Sequence, residues 1–224
     1  VGSEMCIRDR DNTMYAPEDG GMGFYALSKS VSYAPRRLTV LLDDATKDIA
    51  DNNYKHCFVV NKLDHYIYTV MVRGQLVRIK PNTRTCELLL KKVGTSTRPD
   101  ACDSYCAFSP VKGQENMLYI AMAEGNQIWR VDVGNLEGKD KNTYPGEGYA
   151  GKAIVEGQVA GKGWEDGLLR NAKFNNPHQI CFTEDGKLYI ADCGNNCIRV
   201  IDTRLSIDKA TVSTPIGLPG MKGY

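Results

Sequence analysis

The sequence predicts an all-β chain of repeated four-stranded antiparallel units, on three observations. First, short apolar runs alternate with turn chemistry. Gln179 to Thr183, Lys187 to Ala191 and Cys197 to Ile201 are separated by Glu184-Asp185-Gly186 and Gly194-Asn195-Asn196. Asp-Gly and Gly-Asn supply the positive φ angles that tight hairpins need, so the passage is an antiparallel meander. Second, the chain repeats itself. Leu118 to Asp132 aligns with Leu188 to Asp202 without a gap at an offset of 70, with Leu, Tyr, Ile, Ala, Asn, Ile and Asp shared. Gln75-Leu-Val-Arg-Ile79 matches Gln127-Ile-Trp-Arg-Val131 at an offset of 52. Third, Gly is frequent at 22 residues and Tyr at 12, while long helical periodicity is hard to find.

Taken in order, Val1 to Arg10 carries neither the charged-then-apolar pattern of a secretory signal nor a β pattern. It resembles a translated sequencing adapter, with a short disordered leader as the alternative. On the adapter reading the natural N-terminus is missing and this stretch says nothing of localisation. Gly23 to Tyr33 and Arg37 to Leu42 read as two strands joined by Ala34-Pro35-Arg36, completing a unit whose start is lost. Asp43 to Asn53 is a polar connector. Its acidic residues lack the Asp-x-Asn-x-Asn-Gly spacing of a calcium loop.

Three fuller units follow, at about 54–93, 101–160 and 171–216. The first holds Cys57 to Val60, Tyr66 to Val70, Gln75 to Ile79 and Cys86 to Leu90. The second holds Cys106 to Phe108, Met117 to Ala121 and Gln127 to Asp132. Units of this kind recur at about 40 to 50 residues, so the longer spacing after the second implies an insertion, placed at Gly134 to Gly151. In the third, Leu188-Tyr189-Ile190-Ala191 is apolar on both faces, which predicts a strand buried between two layers.

Composition narrows the function. The 28 basic residues balance 27 acidic ones and no Lys/Arg run exceeds a pair, which argues against nucleic acid or anionic membrane as partner. No apolar stretch nears the roughly 20 residues of a membrane span. Phosphate-loop, His-x-x-x-His and Cys-x-x-Cys motifs are missing, and no cofactor is indicated.

Asn176-Pro177-His178-Gln179-Ile180, Gly186 to Asp192 and Asn196 to Asp202 together resemble an NHL repeat, one blade of a β-propeller. The run Gly161 to Gly167 followed by Ala172 to Pro177 is similar to the connector before such blades in bacterial envelope proteins that pair TIG (immunoglobulin-like) domains with NHL repeats. The likeness is strong over 161–224 and weak before about residue 100. It implies a partial propeller of three to four blades from a ring of six, in the cell envelope, extracellular or periplasmic. Lys222-Gly223-Tyr224 repeats Lys162-Gly163-Trp164, so the chain reads as breaking off inside a connector.

The candidate site residues follow from this frame. Tyr149 and Trp164, on connectors, suit stacking on a sugar or a peptide side chain, with plugging of a joint between blades as the alternative. His178 enters an inner strand and could face a central channel; a metal site would need about three converging ligands, so a structural role competes. Arg78 and Arg130, at matching positions, are candidates for an anionic ligand or plain surface charges. Trp129 should point away from Arg130 into a blade joint. Of eight cysteines, seven without Cys6, Cys193 and Cys197 flank a turn and are candidates for a disulfide; the alternative for Cys197 is a buried thiol. Cys102 and Cys106 are a second close pair, with a poor case for zinc.

These readings favour a non-catalytic binding or scaffold propeller presenting loops to a glycan or protein ligand. The alternative is a metal-dependent propeller enzyme, a lactonase-like hydrolase or an amidating-type lyase. That reading requires acidic or His residues at one channel position in consecutive blades.

Overall fold

A computed structural model describes residues 7–8, 13–17, 24–27, 35–41, 55–71, 74–94, 104–151 and 161–221. Their strands form four antiparallel sheets. The first is β1 (Ile7–Arg8), β2 (Met14–Pro17), β3 (Phe24–Leu27) and β4 (Pro35–Leu38); the second is β5 (Lys55–Val60), β6 (Ile67–Met71), β7 (Leu76–Lys80) and β8 (Thr85–Leu90). The third is β9 (Ser104–Phe108), β10 (Met117–Met122), β11 (Gln127–Asp132) and β12 (Glu147–Ala150). The fourth places β13 (Gly167–Leu168) on the outer edge of β14 (Pro177–Phe182), β15 (Lys187–Asp192), β16 (Cys197–Asp202) and β17 (Thr211–Ile216).

The repeat seen in the sequence is a repeat of strands. Met117–Met122 and Lys187–Asp192 are second strands, and Gln127–Asp132 and Cys197–Asp202 third strands, at the same offset of 70. The shared Asn explains itself: Asn126 and Asn196 both turn the hairpin with φ near +55° (54° and 55°), a conformation Asn tolerates better than most residues. Gly186, at φ +82°, does the same for the preceding hairpin.

The first strands β1, β5, β9 and β14 lie side by side in succession, so the sheets stack face to face around a common line. Between the first two sheets, Tyr15, Leu38 and Val40 meet Phe58, Ile67, Val77 and Ile79. Between the second and third, Tyr68, Val70 and Leu90 meet Leu118, Ile120 and Trp129. Between the third and fourth, Tyr119, Ala121 and Ile128 meet Phe174, Leu188, Ile190 and Ile201. Residues of alternate parity in one strand therefore serve opposite joints, which is the period-2 rule of a strand with a neighbour on each face. β10 shows it fully: Leu118, Tyr119, Ile120 and Ala121 are all at 0% exposure.

Four expectations are corrected here. Residues 1–10 carry no β pattern in sequence, yet Ile7–Arg8 pairs with Met14–Pro17, a strand the sequence reading missed. The stretch read as an insertion, Gly134 to Gly151, contains β12, which pairs with β11 and completes the third sheet. The strand at Leu188 to Ala191 is not buried on both faces: Leu188 and Ile190 are, while Tyr189 and Ala191 are half-buried. Among the described residues a sheet covers only the even-numbered face of β15. The run Gly161 to Gly167, read as connector, ends in a strand, since Gly167–Leu168 pairs with β17.

Candidate functional site

On the face of the fourth sheet that carries Tyr189 and Ala191 lies a cavity of about 600 Å³, walled by Tyr105 of β9, Gln179 and Cys181 of β14, Tyr189 and Ala191 of β15 and Ile198 of β16. A second hollow of about 380 Å³ follows the C-terminal ends of β5, β9 and β14 and shares Ile180 and Cys181 with the first. Both run along the first strands of three consecutive sheets. Side-chain alternation produces this wall: Ile180 and Phe182 turn toward the third sheet, so Gln179 and Cys181 face the other way. The lining combines two tyrosines and an amide with aliphatic carbon, which suits a ligand with one apolar face and a few polar groups.

Of the residues singled out from sequence, His178 comes near this wall. It is half-buried, next to Gln179, and its ring is tilted against Tyr105 with centroids 5.5 Å apart. The others are elsewhere. Tyr149 is 3% exposed, packed edge-on against Tyr119 at 5.0 Å with the Arg130 guanidinium 5.0 Å from its ring centre. The plug reading of Tyr149 is the one the structure favours, because β12 carries it into the joint between the third and fourth sheets. Its hydroxyl has no hydrogen-bond partner among the described residues. Tyr149→Phe is therefore expected to leave stability within about 1 kcal/mol of the parent, because removing an unpaired buried hydroxyl forfeits no bond; chemical denaturation checks this.

Trp164 is half exposed at the outer edge, and its indole N–H donates to Thr214 Oγ1 at 3.1 Å. Arg78 and Arg130 are cross-strand partners of Glu87 and Glu147 and form ion pairs of 2.6 and 3.2 Å with them. Each Arg thus answers a carboxylate of its own sheet. Trp129 turns inward and is buried, as its alternation with Arg130 requires.

Cys193 and Cys197 are both free thiols. Asp192, not Cys193, is the residue opposite Cys197 across the hairpin. Burial, then the charge of Asp192, push both thiols above the ordinary cysteine value. Cys197 is buried, as its alternative reading had it. Cys102 lies outside the described residues, and Cys106 instead meets Cys57 of the second sheet.

Sequence reasoning missed Arg199. Its side chain is at 0% exposure and ion-pairs Asp192 and Asp166, each at 2.7 Å. It also donates to the carbonyls of Lys173 and Glu165, each at 2.8 Å, and lies 4.9 Å from the centre of the Phe174 ring. Asp192 further accepts from the Asn175 N–H and the Asn195 amide, both at 2.8 Å. Desolvation raises the Asp192 carboxyl above the usual aspartate range, against the pull of these bonds and of Arg199. One guanidinium therefore ties the connector preceding the fourth sheet to its second and third strands. The cue in the sequence was an Arg at an inward parity, with Asp residues before it.

Among the described residues no three His, Cys, Asp or Glu side chains converge to hold a metal, and no helix is long and apolar enough to cross a membrane.

Four-stranded sheets stacked around a line of first strands define a β-propeller. Residues 174–201, within the fourth blade, match the NHL repeat family. It is similar to teneurin-1 of Caenorhabditis elegans, at 34% identity over 112 residues, 50% of this chain and 4% of that protein. A Bacteroides thetaiotaomicron structural genomics protein of unknown function superposes with a TM-score of 0.66 at 20% identity, over 96% of this chain and 48% of that one. An auxiliary nutrient binding protein from the same species superposes with a TM-score of 0.59 at 18% identity, over 95% of this chain and 43% of that one. The chain thus spans less than half the length of these two structures and a small part of the teneurin.

Proposed function

We propose that this propeller is a non-catalytic binding module of the bacterial cell envelope and that its ligand is a small carbohydrate held in the cavity beside Tyr189. The cavity itself carries the reading. Its volume, about 600 Å³, lies in the range of small-molecule sites, about 300 to 1,000 Å³, and suits one or two sugar rings better than a folded protein. Tyr105 and Tyr189 offer aromatic surface for the C–H face of a sugar, and Gln179 offers an amide for its hydroxyls. The description of a similar fold as a nutrient binding protein supports both the binding role and the envelope setting.

The test is titration calorimetry of the chain against a panel of mono- and disaccharides. Tyr189→Ala is expected to weaken the best binder about tenfold, by analogy with the loss of roughly 1–3 kcal/mol when an aromatic ring that stacks on a flat ligand is truncated. Arg78→Ala and Arg130→Ala, paired within their own sheets, are expected to leave it unchanged. Absence of saccharide binding together with hydrolase or lyase turnover would overturn the proposal in favour of an enzyme.

A further inference from the structure

Cys57 and Cys106 come from the first strands of adjacent blades, 49 residues apart in sequence, and their sulfurs are 3.3 Å apart. Neither was paired with the other by sequence spacing. The contact has local causes. A register shift between Lys55 and Phe58 bends β5, as bulges do. Phe58 and Val60 then face the first sheet while Cys57 packs in the joint with the third. The Thr69 hydroxyl pins the Cys57 carbonyl at 2.7 Å. Cys106, opposite Ile120 in the neighbouring blade, turns back into the same joint. The backbone N–H of Cys106 donates to Cys57 Sγ at 3.1 Å, and the Cys57 thiol donates to the Cys106 carbonyl at 3.5 Å. The contact with Cys57, and then burial, push the Cys106 thiol well up. Both residues are nearly buried, at 3% and 6% exposure, yet both border the cavity of about 600 Å³, which gives a small reagent a route to them.

We propose that Cys57 and Cys106 are a redox site, closing by thiol–disulfide exchange into a covalent staple between two blades at the wall of the cavity. The oxidant is a low-molecular-weight disulfide, RSSR. The Cys57 thiolate attacks one sulfur of RSSR, breaking its S–S bond and releasing RS⁻, which leaves Cys57 as a mixed disulfide. The released thiolate takes the proton of Cys106. The Cys106 thiolate then attacks the Cys57 sulfur and expels the second RS⁻, which takes up the proton that Cys57 released on ionising. In sum, two protein thiols are oxidised, RSSR is reduced to two RSH, and the two cysteines lose two hydrogens. The sulfurs need approach by only about 1 Å to reach the S–S bond length of about 2.05 Å. Exchange of this kind proceeds through the attacking thiolate and a mixed disulfide.

The experiment treats the reduced 224-residue chain with bis(2-hydroxyethyl) disulfide and maps peptides without reduction. The expected result is a linked peptide pair carrying Cys57 and Cys106, two hydrogens lighter than the reduced pair and restored by dithiothreitol. The melting temperature of the oxidised protein is expected to rise by several °C, because the crosslink restricts the unfolded chain. In Cys106→Ser, the reaction is expected to stop at the mixed disulfide on Cys57, with no rise in melting temperature. If Cys57 and Cys106 of the wild-type protein stay reduced while the exposed Cys181 and Cys193 react, the proposal is wrong. The wild-type peptide map decides the matter even if the serine variant does not fold. Saccharide titration is independent of this result, so failure of the staple and failure of the binding role are separable.

Discussion

Arg199→Met is expected to destabilise the chain by about 3–5 kcal/mol at pH 7, the cost of breaking a buried ion pair by removing one partner. The side chain is fully buried and answers two carboxylates and two carbonyls at once. Removing it leaves Asp192, also at 0% exposure, charged and desolvated with only Asn175 and Asn195 as donors. The exposed pairs give the contrast. Arg78–Glu87 and Arg130–Glu147 keep 23% to 58% side-chain exposure, and pairs of that kind are worth about 0–1 kcal/mol.

The Arg199→Met loss has a pH signature. Desolvation already raises the Asp192 carboxyl with Arg199 present, and without the guanidinium it rises further. A carboxyl whose folded pKa exceeds its unfolded value binds more protons in the native state, so stability falls as pH rises between the two values. The variant is therefore expected to be less impaired near pH 4 than at pH 7. Urea unfolding at both pH values checks this. An equal loss at both would show that Asp192 stays ionised and is compensated by other groups. The double variant Arg199→Met, Asp192→Leu is expected to recover part of the loss, since it removes both charges.

Ile120→Ala and Ile190→Ala are each expected to cost about 2–5 kcal/mol, through lost transfer energy and the cavity left behind. They occupy equivalent positions in β10 and β15 and are both at 0% exposure. Ile120 packs in the joint between the second and third blades and Ile190 in the next joint. The comparison that makes this a test of the architecture is Ile198→Ala. Ile198 is apolar and in a third strand, but it faces the cavity and is only half-buried. Its truncation is expected to cost about 1 kcal/mol or less. Thermal unfolding of the three variants checks the ranking. Near-equal losses would mean that the face of the fourth blade carrying Tyr189 and Ile198 is as well packed as the face carrying Ile190.

Much of the fold was legible because the signals are local. Turn chemistry at Asp185-Gly186 and Asn195-Asn196 marked the hairpins of the fourth blade, and the ungapped match of Leu118–Asp132 to Leu188–Asp202 marked equivalent strands. The outer strands were harder. Glu147–Ala150 reads Glu-Gly-Tyr-Ala, with Gly and charge where a strand usually carries branched carbon. It forms because β11 offers an edge. Ile7–Arg8 and Gly167–Leu168 are two residues each, too short for any periodicity. The candidate site fared worse for a related reason. Tyr149 and Trp164 were chosen as aromatics on connectors, but residence on a connector does not say which way a ring turns. Tyr149 went into a joint, and Tyr189, read as core, stands at the cavity.

Strand class, hairpin positions, the repeat and the inward parity of Trp129 and Cys197 are local properties, because each follows from the φ preferences of a few residues and from period-2 alternation. The tertiary structure decided which apolar face is covered, where Arg199 finds its two aspartates and that Cys57 meets Cys106. Those outcomes depend on packing between residues far apart in sequence, 49 positions for Cys57 and Cys106, and no local preference encodes a distance of that kind.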